Sequence, residues 1–206
     1  MGLHLVLAPT PADLPRSRHV AAAREASLRA LAASARLAGV EPRAPDTDEA
    51  GAPLPWGAWH WSLAHTRGLA LALVAPGPAG VDVERLDRAR VADLTDRIVS
   101  PAERALLDDL LPATLLRVWT AKEAVLKRAG VGLAELDDCR LAGPLGVLSG
   151  EGEAVVRHRG AVHRVLQWHV DAAGDGSATH VVAACCEAGE VRLTRLEPAP
   201  ATEVPA

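Results

Sequence analysis

The sequence of 206 residues contains no phenylalanine and no tyrosine, so its five tryptophans are its only aromatic side chains. We attribute this absence to the compositional bias of a GC-rich genome, because alanine and arginine are used heavily throughout the chain. Hydrophobic residues still make up 49% of the chain and charged residues 23%, a balance that excludes a disordered protein. The chain is therefore long and apolar enough to bury a substantial core.

Cysteine is scarce as well. The three cysteines, Cys139, Cys185 and Cys186, do not have the spacing of metal ligands, and an odd number of them favours a reducing compartment. The short apolar opening from Leu3 to Ala8 lacks a basic lead, and no apolar run approaches the length of a membrane helix. We therefore expect a cytoplasmic protein without a membrane partner.

The chain also lacks an excess of positive charge. Its formal net charge is −4 and its isoelectric point is near 6.1. Proteins whose main partner is nucleic acid normally present a basic face to the phosphate backbone. We therefore expect no nucleic-acid partner.

The most informative segment of the sequence runs from Trp119 to Leu133. Its alanine, leucine and lysine content and the glycine that follows Ala129 predict a helix over 113–129. Trp119, Glu123 and Lys127 are four residues apart and share one helix face, with Lys122 rotated by about 100° from Glu123. The simplest alternative is an ordinary surface ion pair between Glu123 and Lys127, worth roughly 0.2–0.5 kcal/mol.

A second segment, 79–85, alternates valine with acidic residues. This period predicts a strand in which Asp82 and Glu84 project from one side while Val81 and Val83 face the core. Paired carboxylates without a basic partner repel each other and become favourable around a divalent cation such as Mg²⁺. The alternative is a solvated polar face of an edge strand.

A third segment, 60–75, predicts strand, turn and strand. The run 69–75 is apolar throughout, and Arg67-Gly68 supplies the turn. His65 and Thr66 then lie at a strand end, where an imidazole and a hydroxyl can meet a phosphate group. A hydrogen-bonded structural histidine is the alternative interpretation of His65.

The remaining pattern predicts an α+β chain. Helices are expected over 17–38, 88–98, 101–110 and 113–129. Strands are expected over 3–8, 58–64, 69–75, 79–84, 139–142, 153–158, 162–170, 178–186 and 190–195. Residues 197–206 are rich in proline and alanine and are expected to form a disordered tail.

The three segments together resemble the 4′-phosphopantetheinyl transferases, specifically their long, Sfp-like group. The resemblance rests on Ser-Leu-x-His-Thr at 62–66, Gly-Val-Asp-Val-Glu at 80–84 and Trp-Thr-x-Lys-Glu-Ala-x-x-Lys from Trp119. Ser100-Pro101-Ala-Glu103 also resembles a helix start of the family, and the proline in the first turn after a serine supports that start physically. The resemblance spans about residues 16 to 182.

The resemblance implies a pseudo-dimer of two similar α+β halves, each a small sheet packed with a long helix, with the active site at their junction. We place the halves at 1–76, the coenzyme A 3′-phosphate side, and 77–196, which carries the metal and catalytic motifs. It implies an enzyme that moves the phosphopantetheine arm of coenzyme A to a carrier-protein serine and releases adenosine 3′,5′-bisphosphate.

By the same resemblance, Mg²⁺ is required and its ligands are Asp82, Glu84 and Glu123, with Glu123 also accepting the serine proton. Lys122 and Lys127 are then clamps on the pyrophosphate. Mg²⁺ neutralises charge on the leaving phosphate, so positioning and electrostatics carry most of such a reaction.

The nucleotide end of the expected site matches less well. By resemblance His65, with Thr66 beside it, contacts the 3′-phosphate, and Arg29 or Arg24 on the first helix contributes a cation, with Arg29 preferred. Ala52 stands where the family usually has a nucleotide-binding lysine.

The implied partners are coenzyme A and an acyl or peptidyl carrier protein, and we expect a monomer. Carrier proteins are usually acidic, so we expect recognition through a local basic patch. Its expected members are Arg88, Arg90, Arg97, Arg104 and Arg117. Two alternatives stay open: another Mg²⁺-dependent phosphoryl-transfer or hydrolytic enzyme, and a non-catalytic coenzyme A-binding module.

Overall fold

A computed structural model describes residues 2–11, 14–88, 91–146, 151–172, 179–187 and 189–198 of the chain. Arg90 and the part of the expected tail from residue 199 onward lie outside these ranges. The fold is α+β, as predicted. Its helices are α1 (Arg16–Leu37), α2 (Thr95–Ile98), α3 (Pro101–Arg104) and α4 (Pro112–Ala129), with 3₁₀ turns at Val91–Leu94 and Leu133–Asp138. Its strands are β1 (Leu3–Pro9), β2 (His60–Thr66), β3 (Leu69–Ala75), β4 (Ala79–Arg85), β5 (Arg140–Leu141), β6 (Glu151–His158), β7 (Ala161–Val170), β8 (His180–Cys186) and β9 (Val191–Arg195).

The first sheet has the strand order β2-β3-β1-β9. β3 is antiparallel to both β2 and β1, whereas β9 pairs with β1 in parallel, with Leu5 opposite Leu193. β9 lies in the range that the sequence assigned to the second half, yet it completes the sheet of the first. The division of the chain at residue 76 stays a prediction.

The second sheet is antiparallel throughout and has the order β4-β8-β7-β6-β5. β4, which carries the alternating acids, pairs along its whole length with β8, so that Asp82 lies opposite Ala183 and Glu84 opposite Val181. β4 also packs against β2 and β3 of the first sheet. It therefore lies where the two sheets meet.

The two sheets and the two long helices form four layers, in the order α1, first sheet, second sheet and α4. Leu5 and Leu71 of the first sheet pack against Val81 and Val182 of the second, which forms an apolar core between the sheets. The opposite face of the first sheet packs on α1, and the opposite face of the second sheet packs on α4. Each sheet is thus covered by one long helix, whereas similarity between the two halves stays a prediction.

The predicted ends of the long helices agree with the structure to within one residue. α4 begins at Pro112 and ends before Gly130, whose φ of 68° gives the left-handed C-cap that glycine favours. The helices predicted over 88–98 and 101–110 are much shorter than expected: the described part of the first is a 3₁₀ turn followed by α2, and the second ends at Arg104. No helix within the described ranges combines the length and the apolar character needed to cross a membrane.

Candidate active site

The site is built where α4 lies directly on β4. A Cβ atom at Gly80 would come within 1.9 Å of the Ala124 carbonyl oxygen and 2.4 Å of the Arg128 nitrogen, so only glycine allows this approach. Because side chains alternate along a strand, Asp82 and Glu84 point to the same side as Gly80, toward α4. The predicted strand with acids on one face is confirmed, and that face meets the helix that carries Glu123 and Lys127.

Asp82 and Lys127 form the central contact. The Lys127 Nζ donates a hydrogen bond of 2.7 Å to Asp82 Oδ1, while Oδ2 is buried without a hydrogen-bond partner. Burial raises the pKa of Asp82, and the Lys127 ammonium partly opposes that shift. The carboxylate thus has one paired oxygen and one open oxygen in a poorly solvated place.

Glu84 lies two residues beyond Asp82 on the same face of β4 and has a different set of partners. Arg88 forms an ion pair with it and also stands over the Trp119 ring, 5.6 Å from the centroid, while the indole donates a hydrogen bond to Glu84. Burial and the neighbouring Asp82 charge nevertheless raise the pKa of Glu84 to about 7. Trp119 therefore belongs to the site as a hydrogen-bond donor as well as a packing residue.

Glu123 completes the acidic group from the helix side. Its pKa is raised by burial first and by Asp82 second, whereas Lys127 and Arg88 lower it. Asp82 thus raises the pKa of both Glu84 and Glu123, so its carboxylate acts on the charge of each of them. An ordinary solvated ion pair on the helix surface does not describe Glu123 and Lys127, because Lys127 bonds to the neighbouring strand instead.

A cavity of about 560 Å³ opens beside this cluster. One wall is the end of β2 and its turn, with His65, Thr66 and Arg67, and the other wall runs from Asp82 along the end of β4 to Arg88. Burial, Lys127 and His19 all lower the pKa of His65, in that order. The cavity therefore joins the predicted phosphate-binding turn of the first sheet to the predicted carboxylate strand of the second.

Lys122 is the exception among the predicted residues of α4. Its side chain is fully buried, its Nζ is 2.7 Å from Glu103 Oε1, and it also donates to the Ile98 carbonyl oxygen at 2.8 Å. Because Lys122 is rotated by about 100° around α4 from Glu123, its side chain points into the core next to α3. The expectation that Lys122 clamps the pyrophosphate is therefore corrected: it is a buried structural cation.

The arginines of α1 do not line the cavity. Arg29 donates to the Glu197 carbonyl oxygen at 2.8 Å, and it lies ten residues, or about 15 Å, along the helix from His19. Arg24 is exposed on the same helix. The structure thus does not bring Arg24 or Arg29 to His65, and their contact with a 3′-phosphate stays a prediction.

His19 is a residue that the sequence interpretation missed. It interacts electrostatically with His65, and its Nε2 is buried without a hydrogen-bond partner in the structure. A buried imidazole nitrogen with an open position beside the predicted phosphate-binding histidine suits a ligand oxygen. The basic residues Arg16, Arg18 and His19 at the start of α1 were the available signal, whereas the predicted cations are Arg24 and Arg29 further along the helix.

Ala52 lies close to the end of α4. A Cβ atom at Gly130 would be 3.7 Å from the Ala52 side chain, three residues beyond Lys127. The loop that carries Ala52 therefore reaches the C-cap of α4.

The carboxylates of this cluster are candidate ligands for a metal ion. Within the described ranges, no three histidine, cysteine, aspartate or glutamate side chains are arranged as a ready metal site. The chemistry of the donors nevertheless fits Mg²⁺, which takes one or two carboxylates and completes its shell with water and substrate phosphate oxygens. The open Oδ2 of Asp82 and the nearby Glu84 supply such a pair.

Most of the predicted basic patch does not gather at the cavity. Arg88 lines it, whereas Arg104 pairs with Asp96 and Arg117 donates to Gly146 and Gln167. Arg97 lies in the last turn of α2. Of the described members, Arg88 is the one at the site.

Comparison with known proteins agrees with this geometry. Residues 78–185, more than half of the chain, match the family model described as the 4′-phosphopantetheinyl transferase superfamily. The matched range includes β4, α4 and all but the last residue of β8, and hence Asp82, Glu84, Glu123 and Lys127.

Three kinds of curated relatives are similar over shorter stretches. The enterobactin synthase component D of Escherichia coli O157:H7 is 36% identical over 74 residues, covering 34% of this chain and 36% of the relative. The 4′-phosphopantetheinyl transferase HetI of Nostoc sp. is 34% identical over 88 residues, covering 40% and 37%. A holo-[acyl-carrier-protein] synthase of Campylobacter jejuni is 39% identical over 54 residues, covering 26% and 45%. The chain thus spans less than half the length of each of these relatives.

Proposed function

Because the chain belongs to the 4′-phosphopantetheinyl transferase superfamily, we propose that it transfers the 4′-phosphopantetheine arm of coenzyme A to a serine of an acyl or peptidyl carrier protein. Adenosine 3′,5′-bisphosphate is the other product. The observation that carries this proposal is the contact of Lys127 with Asp82 inside a group of three carboxylates, at the edge of a cavity between the two sheets. Within the superfamily we assign it to the Sfp-like group.

The proposed reaction requires Mg²⁺. When bound, the ion supplies charge neutralisation for the pyrophosphate oxygens of coenzyme A. Asp82 and Glu84 would hold it, with Glu123 as a third carboxylate from α4. The support for this assignment is the open Asp82 oxygen and the pKa of Glu123, which burial raises first and the Asp82 charge second, because a shared cation would stabilise the charged form of both carboxylates.

Glu123 is the proposed base. The carrier serine must lose its hydroxyl proton as its oxygen attacks the β-phosphorus of coenzyme A, and a carboxylate of raised pKa is a better proton acceptor near neutral pH than an ordinary glutamate. The bond from phosphorus to the bridging oxygen breaks, and adenosine 3′,5′-bisphosphate leaves. Lys127, already held beside the carboxylates, balances the negative charge of the pyrophosphate.

The other wall of the cavity is proposed to bind the nucleotide end. His65 and Thr66 would contact the 3′-phosphate, and His19 would add the imidazole nitrogen that has no partner in the structure. A 3′-phosphate on that wall and a pyrophosphate at Lys127 would stretch coenzyme A across the junction of the sheets. Arg88 is the proposed local cation for an acidic carrier protein.

Release of adenosine 3′,5′-bisphosphate tests this proposal against its two alternatives. The protein is incubated with coenzyme A and Mg²⁺, with an apo-carrier protein, with the same carrier after its modified serine is replaced by alanine, or with no carrier. We expect release only with the intact apo-carrier, and its loss when EDTA removes the metal. Release without a carrier would identify a hydrolase, and binding of coenzyme A without release would identify a binding module.

The proposed function also bears on the cellular compartment and the oligomeric state of the protein. We propose a cytoplasmic monomer, because its substrates would be coenzyme A and a carrier protein, and three cysteines without a disulfide suit a reducing compartment. Size-exclusion chromatography with light scattering tests the monomer directly. A dimer that persists at low protein concentration would contradict it.

A further inference from the structure

One buried histidine ties the two sheets together at the cavity. His180 begins β8 in the second sheet, and its Nε2 lies 2.9 Å from the carbonyl oxygen of Arg67, in the turn between β2 and β3 of the first sheet. The two residues are 113 positions apart in sequence. His180 is only 3% exposed, so this hydrogen bond is shielded from water.

The partners of the ring fix which nitrogen carries the proton. A carbonyl oxygen only accepts, so Nε2 must be the donor to Arg67. Nδ1 lies 2.7 Å from the Thr179 hydroxyl, whose oxygen also accepts from the Ala172 amide at 3.1 Å. The hydroxyl proton is therefore free to point at Nδ1. Thr179 thus holds the ring in the tautomer and orientation that reach the turn.

The turn is shaped to receive the ring. Gly68 has a φ of 91°, and a Cβ atom there would lie 3.4 Å from His180 Cε1. The Gly68 carbonyl oxygen accepts from the Thr10 amide at 3.1 Å. One carbonyl of the turn is therefore held by its own sheet and the other by the opposite sheet, which leaves the turn little freedom relative to β4.

The same histidine is anchored beside the carboxylate strand. His180 is paired in register with Arg85 of β4, one residue after Glu84, and the Leu86 amide donates to the Thr179 carbonyl oxygen at 2.9 Å. The turn that it holds follows directly on His65 and Thr66, which face β4 across the cavity. His180 therefore connects the two walls of the site without itself lining the cavity.

We propose that His180 is a positioning residue that sets the distance between the His65–Thr66 wall and the Asp82–Glu84 wall by binding the Arg67 carbonyl. This inference rests on the proposed function, because it concerns how coenzyme A spans the two walls. Loss of the donor lets the turn move away from β4. The free enzyme then binds coenzyme A more weakly, while the residues that carry out the transfer remain unchanged.

Two substitutions separate the hydrogen bond from the packing of the ring. In His180→Gln, the amide nitrogen of glutamine stands close to the place of Nε2 and can still donate to Arg67. In His180→Phe, a ring of similar size remains but the donor is lost. The control is His4→Phe, because His4 is a partly buried histidine that is also hydrogen-bonded to a threonine, Thr194, but it joins β1 to β9 away from the cavity.

The measurements are hydrogen exchange of the peptide containing residues 65–69, coenzyme A binding by calorimetry, and KM and kcat of transfer. For His180→Phe we expect faster exchange of that peptide and a roughly fivefold rise in Kd and KM for coenzyme A, the size of one lost hydrogen bond, with kcat within about twofold of wild type. His180→Gln should recover most of the affinity. His4→Phe should lower the unfolding midpoint without changing exchange of 65–69 or KM.

Unchanged exchange and affinity in His180→Phe would overturn the proposal. Equal losses in kcat and affinity in both His180 variants, together with a lower unfolding midpoint, would also overturn it, because they indicate a general structural role. Failure of the proposed function is distinguishable, since the wild-type protein would then transfer no phosphopantetheine to any apo-carrier protein. The exchange of the 65–69 peptide reports on the hydrogen bond in either case.

Discussion

Lys127 Nζ lies 2.7 Å from Asp82 Oδ1 and thereby connects the last turns of α4 to the middle of β4. The two partners differ in solvent access, because about a third of the Lys127 side chain is exposed whereas Asp82 is buried. The contact therefore stabilises the charge of a carboxylate that burial disfavours. It also leaves the second oxygen of that carboxylate without a partner, and this oxygen is the one that the proposed metal ion would bind.

Asp82→Asn should abolish transfer without unfolding the protein. The substitution keeps the shape of the side chain but removes the charge, so we expect transfer to fall by about a hundredfold or more. Because burial raises the pKa of Asp82, the folded state gains little from its charge, and the Lys127 side chain is still partly accessible to water. The free energy of unfolding in urea should stay within about 1 kcal/mol of wild type.

Asp96→Asn is the matched control for that variant. Asp96 is almost fully exposed and pairs with Arg104 outside the cavity, so neither transfer nor stability should change by more than a small amount. Transfer by Asp82→Asn at a rate similar to that of this control would show that Asp82 is not part of the reaction site.

Gly80→Ala should separate α4 from β4. The added methyl group would overlap the backbone of Ala124 and Arg128, so the helix or the strand must shift, at a cost of at least about 1–3 kcal/mol. Gly132→Ala is the control, since nothing lies within 4 Å of a Cβ there and the φ of Gly132 is −92°. Urea denaturation should therefore detect a large loss of stability at position 80 and almost none at position 132. Similar values would mean that the helix does not rest on this strand as closely as described.

The buried pair of Lys122 and Glu103 should show strong coupling. Lys122→Met leaves Glu103 buried without its cation, and Glu103→Gln leaves Lys122 buried without its anion, so each change should cost about 3–5 kcal/mol. The double variant should be more stable than the sum of the two losses predicts. A double-mutant cycle from urea unfolding measures the difference, and simple additivity would argue against the ion pair.

The same pair predicts a dependence of stability on pH. Burial favours the neutral form of Glu103, but hydrogen bonds from Lys122, Ser100 and Leu141 outweigh that effect and hold its pKa below the ordinary value of 4.5. In the acidic range the unfolded chain then binds a proton before the folded one, so folding stability rises with pH there. The stabilisation is present above 4.5 and is lost as the pH falls through the lowered pKa.

Comparison with Glu103→Gln isolates that contribution. The difference in unfolding free energy between wild type and this variant should shrink as the pH is lowered from about 5 to about 3. A difference that stays constant over this range would show that the charge of Glu103 does not contribute to the stability of the fold.

The sequence predicted the elements of the site well because their signals are local. The alternation of Val81 and Val83 with Asp82 and Glu84 is a property of the strand itself, and the spacing of Glu123 and Lys127 is a property of the helix. Pro101 after Ser100 correctly marked the start of α3, where Ser100 and Glu103 form a capping box. The resemblance to the family then indicated that the segments 60–75, 79–85 and 113–129 contribute to one site.

Other features depend on contacts between distant segments. Lys122 is adjacent to Glu123, and its burial follows from the position of Glu103 on another helix, which local spacing does not specify. The parallel pairing of β9 with β1 likewise joins opposite ends of the chain. His180 was predicted only as part of an apolar strand, because its partner Arg67 lies 113 residues away.

The most direct test of the account is the intact mass of an apo-carrier protein after incubation with this protein, coenzyme A and Mg²⁺. We expect the wild-type protein to add the mass of one phosphopantetheine group to the carrier, and Asp82→Asn to add none over the same time. No mass increase on any of several acyl and peptidyl carrier proteins, from a folded protein that binds coenzyme A, would contradict it.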